Sequence, residues 1–329
     1  MSKITDVAKR ANTSISTVSR VLNGTAKVKK ETRDRILEAI EELGYKPLTR
    51  KEEVRQTKTI GLIVPDIENP FFGKMAKAIA GIANDYDYNI LLLNVEGIKS
   101  QKEMLISSVE EKVDGIIYTS SYRCEEIIKK AKLDQFPIVV MDREIRNIKV
   151  NTVSVNNEYA GFIATEHLLK LGHRKIAFIA GPESMQVSVQ RQAGYERALQ
   201  TQGVDIDTSL ILNGDFKMES GYKIMKKLLG SNPDISAVVA ANDLMAIGAL
   251  NYANYKGLKI PKDISIIGFD DIELASSITP KLTSVSYPLE RMGELAIKSI
   301  LSQIKEKDSE TEMVTLFPEL RPRESTGKY

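Results

Sequence analysis

Apolar residues along this chain follow two different rhythms. Through residue 46 they recur at three- and four-residue intervals, as on helices: Val7, Ala8 and Ala11; then Val18, Val21 and Leu22; then Ile36, Leu37, Ile40 and Leu43. Three short helices are predicted. The first runs from Thr5, as N-cap, to Ala11. Asn12 follows, a residue that tolerates the left-handed backbone of a tight turn. The second is capped by Ser14 and stops at Asn23-Gly24. The third reads ETRDRILEAIEELG and ends at Gly44.

From Thr59 the apolar runs become continuous and short. TIGLIVPDI, NILLLNV, DGIIYTS and PIVVMDR read as strands, separated by helical stretches at 71–87, 99–111 and 124–133. After TVSVNN the alternation starts again: helix 158–171, KIAFIAGP, helix 188–202, LILNGDF, helix 218–229, ISAVVAAND, helix 244–256, DISIIGFDD. A helix over 288–303 and a returning segment, LFPELRPRES, complete the pattern. Strands apolar along their whole length belong to parallel sheets covered on both faces. Two successive βα series predict two lobes with a cleft between them. The expected division is a head at 1–46, a linker at 47–58 and a core at 59–329.

Charge sharpens this division. The 329 residues sum to +2, but residues 1–60 hold 14 basic and 8 acidic side chains, against 32 and 36 in the remainder. A basic head on a slightly acidic body points to a polyanionic partner for the head. Cys124 is the only cysteine and His167 and His173 the only histidines, which argues against a disulfide and a zinc site; no metal and no cofactor are expected. No apolar run reaches membrane-spanning length and the N-terminus has no signal-like apolar core, so no membrane partner and a cytoplasmic location are expected.

With Val18, Val21 and Leu22 turned inward, the second helix leaves Ile15, Ser16, Ser19, Arg20 and Asn23 outside. Two helices joined by so short a turn form a helix-turn-helix, whose second helix fits the major groove of duplex DNA. Serine and arginine can donate to bases or phosphates there, and Ile15 can pack on a thymine methyl group. The plainer alternative is a trihelical protein-docking module.

In the core, polar residues gather where strands end: Asp66 and Asn69, Asp142-Arg143, Asn242-Asp243 and Asp270-Asp271. Phe71 and Phe72 begin the first helix, and Arg191 lies early in the helix after GPES. Parallel sheets bind ligands at these carboxyl ends. Carboxylates, amides and arginine can share hydrogen bonds with neighbouring hydroxyls, while a phenyl ring packs on the C–H face of a sugar. The set suits a small polyol. Each member also has a plainer role: Asp66 ending a strand, Phe71 or Phe72 in the core, Asp142-Arg143 as an ion pair, Asp271 as a helix cap, Arg191 on the surface. Ser184 and Ser188 have no histidine nearby in sequence, leaving only distant His173, and the glycine-rich phosphate-binding patterns are absent.

ITDVAKRANTSISTVSRVLNG, with VKKETRDRILEAIEELGYKP after it, resembles the DNA-binding headpiece of the LacI/GalR family of bacterial transcription regulators. IVPDIENPFF, VVMDR, GHRKIAFIAGP, AVVAANDLMAIGAL, DISIIGFDD and PKLTSVSYP are similar to that family's two-lobed core, of the type I periplasmic-binding-protein kind. The resemblance implies an α/β fold with parallel sheets and lobe crossings near 157, 286 and 317. It implies a non-enzymatic, sugar-responsive repressor acting as a homodimer on double-stranded operator DNA. Thr5 and Ser14 would hold phosphates, Ile15, Ser16 and Arg20 would read bases, and Thr17, Ser19 and Asn23 would lie close by. The effector site would comprise Asn69, Phe71, Phe72, Asp142, Arg143, Arg191, Asn242 and Asp270. A ribose-like pentose is the leading effector, since Met185 and Val187 stand where purine-sensing members are expected to carry arginine and threonine. The hinge departs from the family. LTRKEEVRQTKTIG has no leucine at the place where the family's wedges into the minor groove, leaving Val54 as a smaller wedge or a charged linker whose Arg50, Lys51, Arg55 and Lys58 follow phosphates. The alternatives are a catabolite-control regulator with a phosphorylated carrier protein as corepressor, and a sugar-binding enzyme.

Overall fold

The computed structural model describes residues 4–23, 28–43, 57–95, 112–119, 125–142, 148–306 and 311–329. The chain forms two compact units, residues 1–56 and 57–329.

The first unit contains α1 (Ile4–Arg10), α2 (Ile15–Asn23) and α3 (Lys30–Glu42). Val7, Ala8, Ala11, Val18, Ile36 and Ala39 form its buried core, with Val21, Ile40 and Leu43 packed against it. Asn12 takes the left-handed turn, with φ of 47°. The Ser14 hydroxyl accepts a hydrogen bond from the Thr17 amide at 3.2 Å, capping α2. Two expectations need correction. Helix α1 starts at Ile4, so Thr5 lies inside the first turn instead of capping it. Leu37 is 49% exposed. A helix turns about 100° per residue, and the inward stripe runs through Ile36, Ala39, Ile40 and Leu43, which carries Leu37 to its side. The Leu22 side chain, Gly44 and the linker through Gln56, with Arg50, Lys51, Val54 and Arg55, lie outside the described residues. Lys58, expected to follow phosphates, holds its ammonium 4.7 Å above the Tyr88 ring.

The second unit begins with β1 (Thr59–Val64), α4 (Pro70–Asn84), β2 (Asn89–Asn94), β3 (Gly115–Tyr118), α5 (Glu125–Leu133), β4 (Ile138–Met141) and β5 (Asn151–Val155). It continues with α6 (Asn157–Lys170), β6 (Ile176–Ala180), α7 (Gln186–Thr201), β7 (Ile211–Asn213), α8 (Met218–Ser231), β8 (Ala237–Ala240), α9 (Asp243–Tyr255), β9 (Ser265–Phe269), α10 (Glu273–Ser277) and β10 (Thr283–Ser286). Helix α11 (Leu289–Lys305), β11 (Met313–Leu316) and β12 (Glu319–Arg321) finish the chain. The helix expected over 99–111 and Cys124 lie outside the described residues.

Two six-stranded sheets result, ordered β11-β5-β4-β3-β1-β2 and β12-β10-β9-β8-β6-β7. Every described pairing is parallel except that of β12 with β10. Strands β3, β4, β6, β8 and β9 are buried along their whole length, as their continuous apolar sequences require; the edge strand β2 is largely exposed or half-buried. Both sheets repeat one doubly wound order, β2-β1-β3-β4-β5 and β7-β6-β8-β9-β10. Strand order reverses beside β1 and β6, where such sheets open a crevice at their carboxyl ends. The chain passes between the sheets after β5, after β10 and between β11 and β12. Helices α6 and α7 pack through glycine: a Cβ on Gly161 would lie 2.0 Å from the Arg191 carbonyl oxygen, and one on Gly194 2.0 Å from that of Glu158. That contact seats Arg191 against the start of α6.

Candidate functional site

A cleft of about 290 Å³ opens where the carboxyl ends of the two sheets face each other, at the small end of ligand pockets. From the first sheet it is lined by Pro65, Asp66, Asn69, Phe71, Phe72, Thr119 and Asp142. From the second come Pro182, Met185, Val187, Arg191, Asp215, Phe216, Lys217, Asn242 and Asp270. Seven of the eight residues expected at an effector site therefore come together here. The eighth, Arg143, lies outside the described residues.

Arg191 organises the cleft floor. It is only 4% exposed, so the surface alternative fails. Its Nε donates to Asn157 Oδ1 at 3.1 Å, Nη1 to the Ala241 carbonyl at 2.5 Å and Nη2 to Asp270 Oδ1 at 3.4 Å. The guanidinium lies 4.9 Å from the Phe269 ring centre and 5.3 Å from that of Tyr287, whose hydroxyl donates to the same Asn157 oxygen. A planar fork fixed on several sides presents its remaining N–H groups in a set direction. Burial pushes the Asp270 carboxyl up to about 7; Arg191 opposes the rise and Asp142 adds to it.

Two expected ligand residues also cap helices. Asn69 Oδ1 accepts from the Phe71 amide at 3.0 Å, and Asn242 Oδ1 from the Met245 amide at 2.9 Å. Asn242 Nδ2 donates to the Phe216 carbonyl at 2.9 Å. Asp66 accepts from the Glu68 amide at 2.9 Å. Phe71 is buried, edge-on to Phe72 and Tyr287, while Phe72 is half-buried. Asp142, Phe216, Asp270 and Asp271 all have positive φ, at 64°, 67°, 97° and 49°. Backbone strain thus collects around the cleft, as it does at functional sites.

Asp271 and Asp243 do other work. Asp271 pairs with Arg323 at 2.5 Å, and the N-cap of α10 is Ile272, so Asp271 is not the cap. Asp243 is buried, accepting from the Ile272 amide and the Ser284 hydroxyl; burial and neighbouring Asp270 hold its carboxyl well above the usual range. His173 bonds Ser236 and Ser265, at the amino ends of β8 and β9, away from the cleft. Neither Ser184 nor Ser188 has it as a partner. The sequence reading missed Phe216 and Thr119; their signal was position alone, each shortly past the carboxyl end of a strand, β7 of the second sheet and β3 of the first.

In the head, Thr5, Ser14, Ile15, Ser16 and Arg20 are exposed and Thr17 is half-buried. Ser14 Oγ lies 2.8 Å from the hydroxyls of both Ser16 and Thr17. Ser19 and Asn23 lie on α2, their side chains outside the described set.

A helix-turn-helix unit and a two-sheet core with a polar cleft, in one chain, define a ligand-responsive DNA-binding regulator. Residues 3–47 match the family model of bacterial regulatory proteins of the lacI family, and residues 57–321 that of periplasmic binding proteins and the sugar binding domain of the LacI family. The chain belongs to the LacI family and is a DNA-binding transcription regulator. Similar proteins include catabolite control protein A of Priestia megaterium, 35% identical over 98% of both chains. The HTH-type transcriptional repressor PurR of Histophilus somni is 36% identical over 99% of both, and the ribose operon repressor of Halalkalibacterium halodurans 34% identical over 99% of this chain and 97% of its own. Among solved structures, a CelR–cellobiose complex has a TM-score of 0.76 and 32% identity, covering 99% of this chain and all of its own. A ribose-bound LacI-family regulator of Enterococcus faecium has 0.74 and 32%, over 82% and 99%. The lac repressor dimer on operator has 0.74 and 26%, over 99% of both.

Proposed function

We propose that this protein is a cytoplasmic homodimeric repressor whose affinity for a pseudo-palindromic operator is set by a small sugar. The carrying observation is the meeting of Asp142, Arg191, Asn242 and Asp270 with Phe71 and Phe72 in one cleft. Charged and amide groups there match hydroxyls, and the rings match a sugar's C–H face. Asn69 and Arg143 complete the proposed contacts. A ribose-like pentose is the favoured effector, supported by the apolar Met185 and Val187, which offer a purine base no polar partner, and by the ribose-bound neighbour. In the head, Ile15, Ser16 and Arg20 read base edges, and Thr5, Ser14, Thr17, Ser19 and Asn23 hold the backbone; in the linker, either Val54 wedges into the minor groove or the charged residues around it follow phosphates. Two heads are needed because one short helix reads too few bases for useful specificity. Sugar binding closes the lobes and biases the dimer between operator-binding and released states.

Calorimetric titration with pentoses and hexoses, followed by operator selection from random DNA, tests this reading. A pentose that binds and changes operator affinity supports it. Absence of sugar binding, or of any selected sequence, overturns it. A second reading, a corepressor role for a phosphorylated carrier protein, is favoured by the similarity to catabolite control protein A. It requires operator affinity to rise only when that phosphoprotein is added.

A further inference from the structure

The cleft is chemically uneven. Its β8–β9 end carries Asn242 and Asp270, while its β6–β7 end sets the apolar Pro182, Met185, Val187 and Phe216 beside Asp215 and Lys217. Two unusual features coincide at the second end. Ser188, in the first turn of α7, is 2% exposed, and its Oγ is the one buried side-chain N or O atom among the described residues without a hydrogen-bond partner. Burying such a hydroxyl without a partner costs free energy that native proteins rarely leave unrecovered. Phe216, for its part, holds a φ of 67°, unfavourable for a bulky aromatic residue.

The two side chains meet at Gly181. A Cβ there would lie 2.2 Å from the Phe216 ring carbon Cζ and 2.4 Å from Ser188 Oγ. Ring tip and hydroxyl therefore share the space that the missing side chain leaves. Phe216 lines the cleft and Ser188 does not. The Phe216 backbone is anchored through its carbonyl to Asn242, so the movable part is the ring.

We infer that Ser188 is a further specificity-determining residue for the effector: when a sugar enters and the Phe216 ring leaves Gly181, the Ser188 hydroxyl hydrogen-bonds a sugar hydroxyl at this end of the cleft. This rests on the sugar-binding reading above. A hydroxyl both donates and accepts, so it can pair with any sugar hydroxyl that reaches it. A deoxy sugar presents only C–H there and leaves Ser188 unpaired. A site built to hydrogen-bond a hydroxyl discriminates strongly against the analogue lacking it.

The test uses full-length protein, the pentose or hexose that wild type binds most tightly, and that sugar's monodeoxy analogues. Ser188→Ala is expected to bind the parent sugar about five- to tenfold more weakly. One deoxy analogue is expected to bind wild type and Ser188→Ala equally, because the contact is already gone. Without sugar the variant should melt no lower than wild type, since the group removed has no partner. Unchanged affinity for the parent sugar overturns the inference. So does a uniform loss across all analogues with a lowered melting temperature, which marks a packing role. If wild type binds no sugar at all, the sugar-binding reading itself fails, a result distinct from either.

Discussion

The two candidate binding surfaces solve recognition in opposite ways. On α2 the side chains are in water: Ser14, Ser16 and Arg20 are exposed, and Ile15 offers 49% of its surface. In the cleft, Arg191, Asn242 and Asp270 are buried and already bonded, to Asn157, Ala241, Met245, Phe216 and one another. An exposed surface gives up hydration contact by contact, and its charges are screened by salt. A buried, interlocked set has lost its water during folding, so it binds with fixed geometry and loses much when one member changes. The head is held together by a few small side chains, and the cleft by a two-sheet framework.

The largest effect should come from that small core. Ile36 is fully buried, and Ile36→Ala should cost about 2–5 kcal/mol, a large share of what so small a unit can hold. Operator binding should be lost while calorimetric sugar binding persists. Loss of both would show that the two units do not fold independently.

Arg191→Lys comes next. It keeps the charge but loses the fork that reaches Asn157, Ala241 and Asp270 at once. Sugar affinity should fall at least about tenfold, for a loss of ~1.5–3 kcal/mol in charged hydrogen bonding. Operator affinity without sugar should stay at the wild-type value, giving a repressor that no longer responds. Gel-shift titration with and without sugar checks both halves.

On the exposed side, Arg20→Ala should weaken specific operator binding by roughly 1–3 kcal/mol and flatten its salt dependence, with sugar affinity intact. Equal operator affinity for variant and wild type at one salt concentration would remove Arg20 from the interface.

A subtler contrast lies in pH. Asp270 has its carboxyl raised to about 7, so the folded state holds this proton more tightly than the unfolded chain does. As pH rises above the ordinary carboxylate range the unfolded chain loses this proton while the folded protein keeps it, so the stability of the empty protein falls until the folded carboxyl itself ionises, as pH passes through about 7. A carboxylate accepts sugar hydroxyls better than a carboxylic acid, so sugar affinity should climb over the same interval. Titrations between about pH 6 and about pH 8 should show the climb in wild type and a flat profile in Asp270→Asn. The smallest change is expected from Leu37→Ala, within about 0.5 kcal/mol by thermal melting, because its half-exposed side chain leaves no cavity.

Much of this was readable from residue order. Period and strand length gave the three helices, the two βα series and the carboxyl-end position of the polar residues, because burial of one face or of both dictates the apolar pattern. Ile36 and Leu37 show the limit. Both are apolar and adjacent, and only the packing of three helices decides which turns inward. Asn69 and Asn242 look like ligand residues and are also helix caps, two roles that one side chain can hold when the helix starts at the cleft.

What the sequence determined by itself is local and periodic: the head, the strands and the candidate residues at strand ends. What only tertiary structure decided is partnership. Arg191 is a cleft residue because Gly161 and Gly194 let two helices touch and bring Asn157 beneath it. Ser188 lies behind Phe216 because Gly181 leaves room for both. Distant segments of chain meet only when the sheets and their helices close-pack, so no stretch of sequence carries that pairing alone.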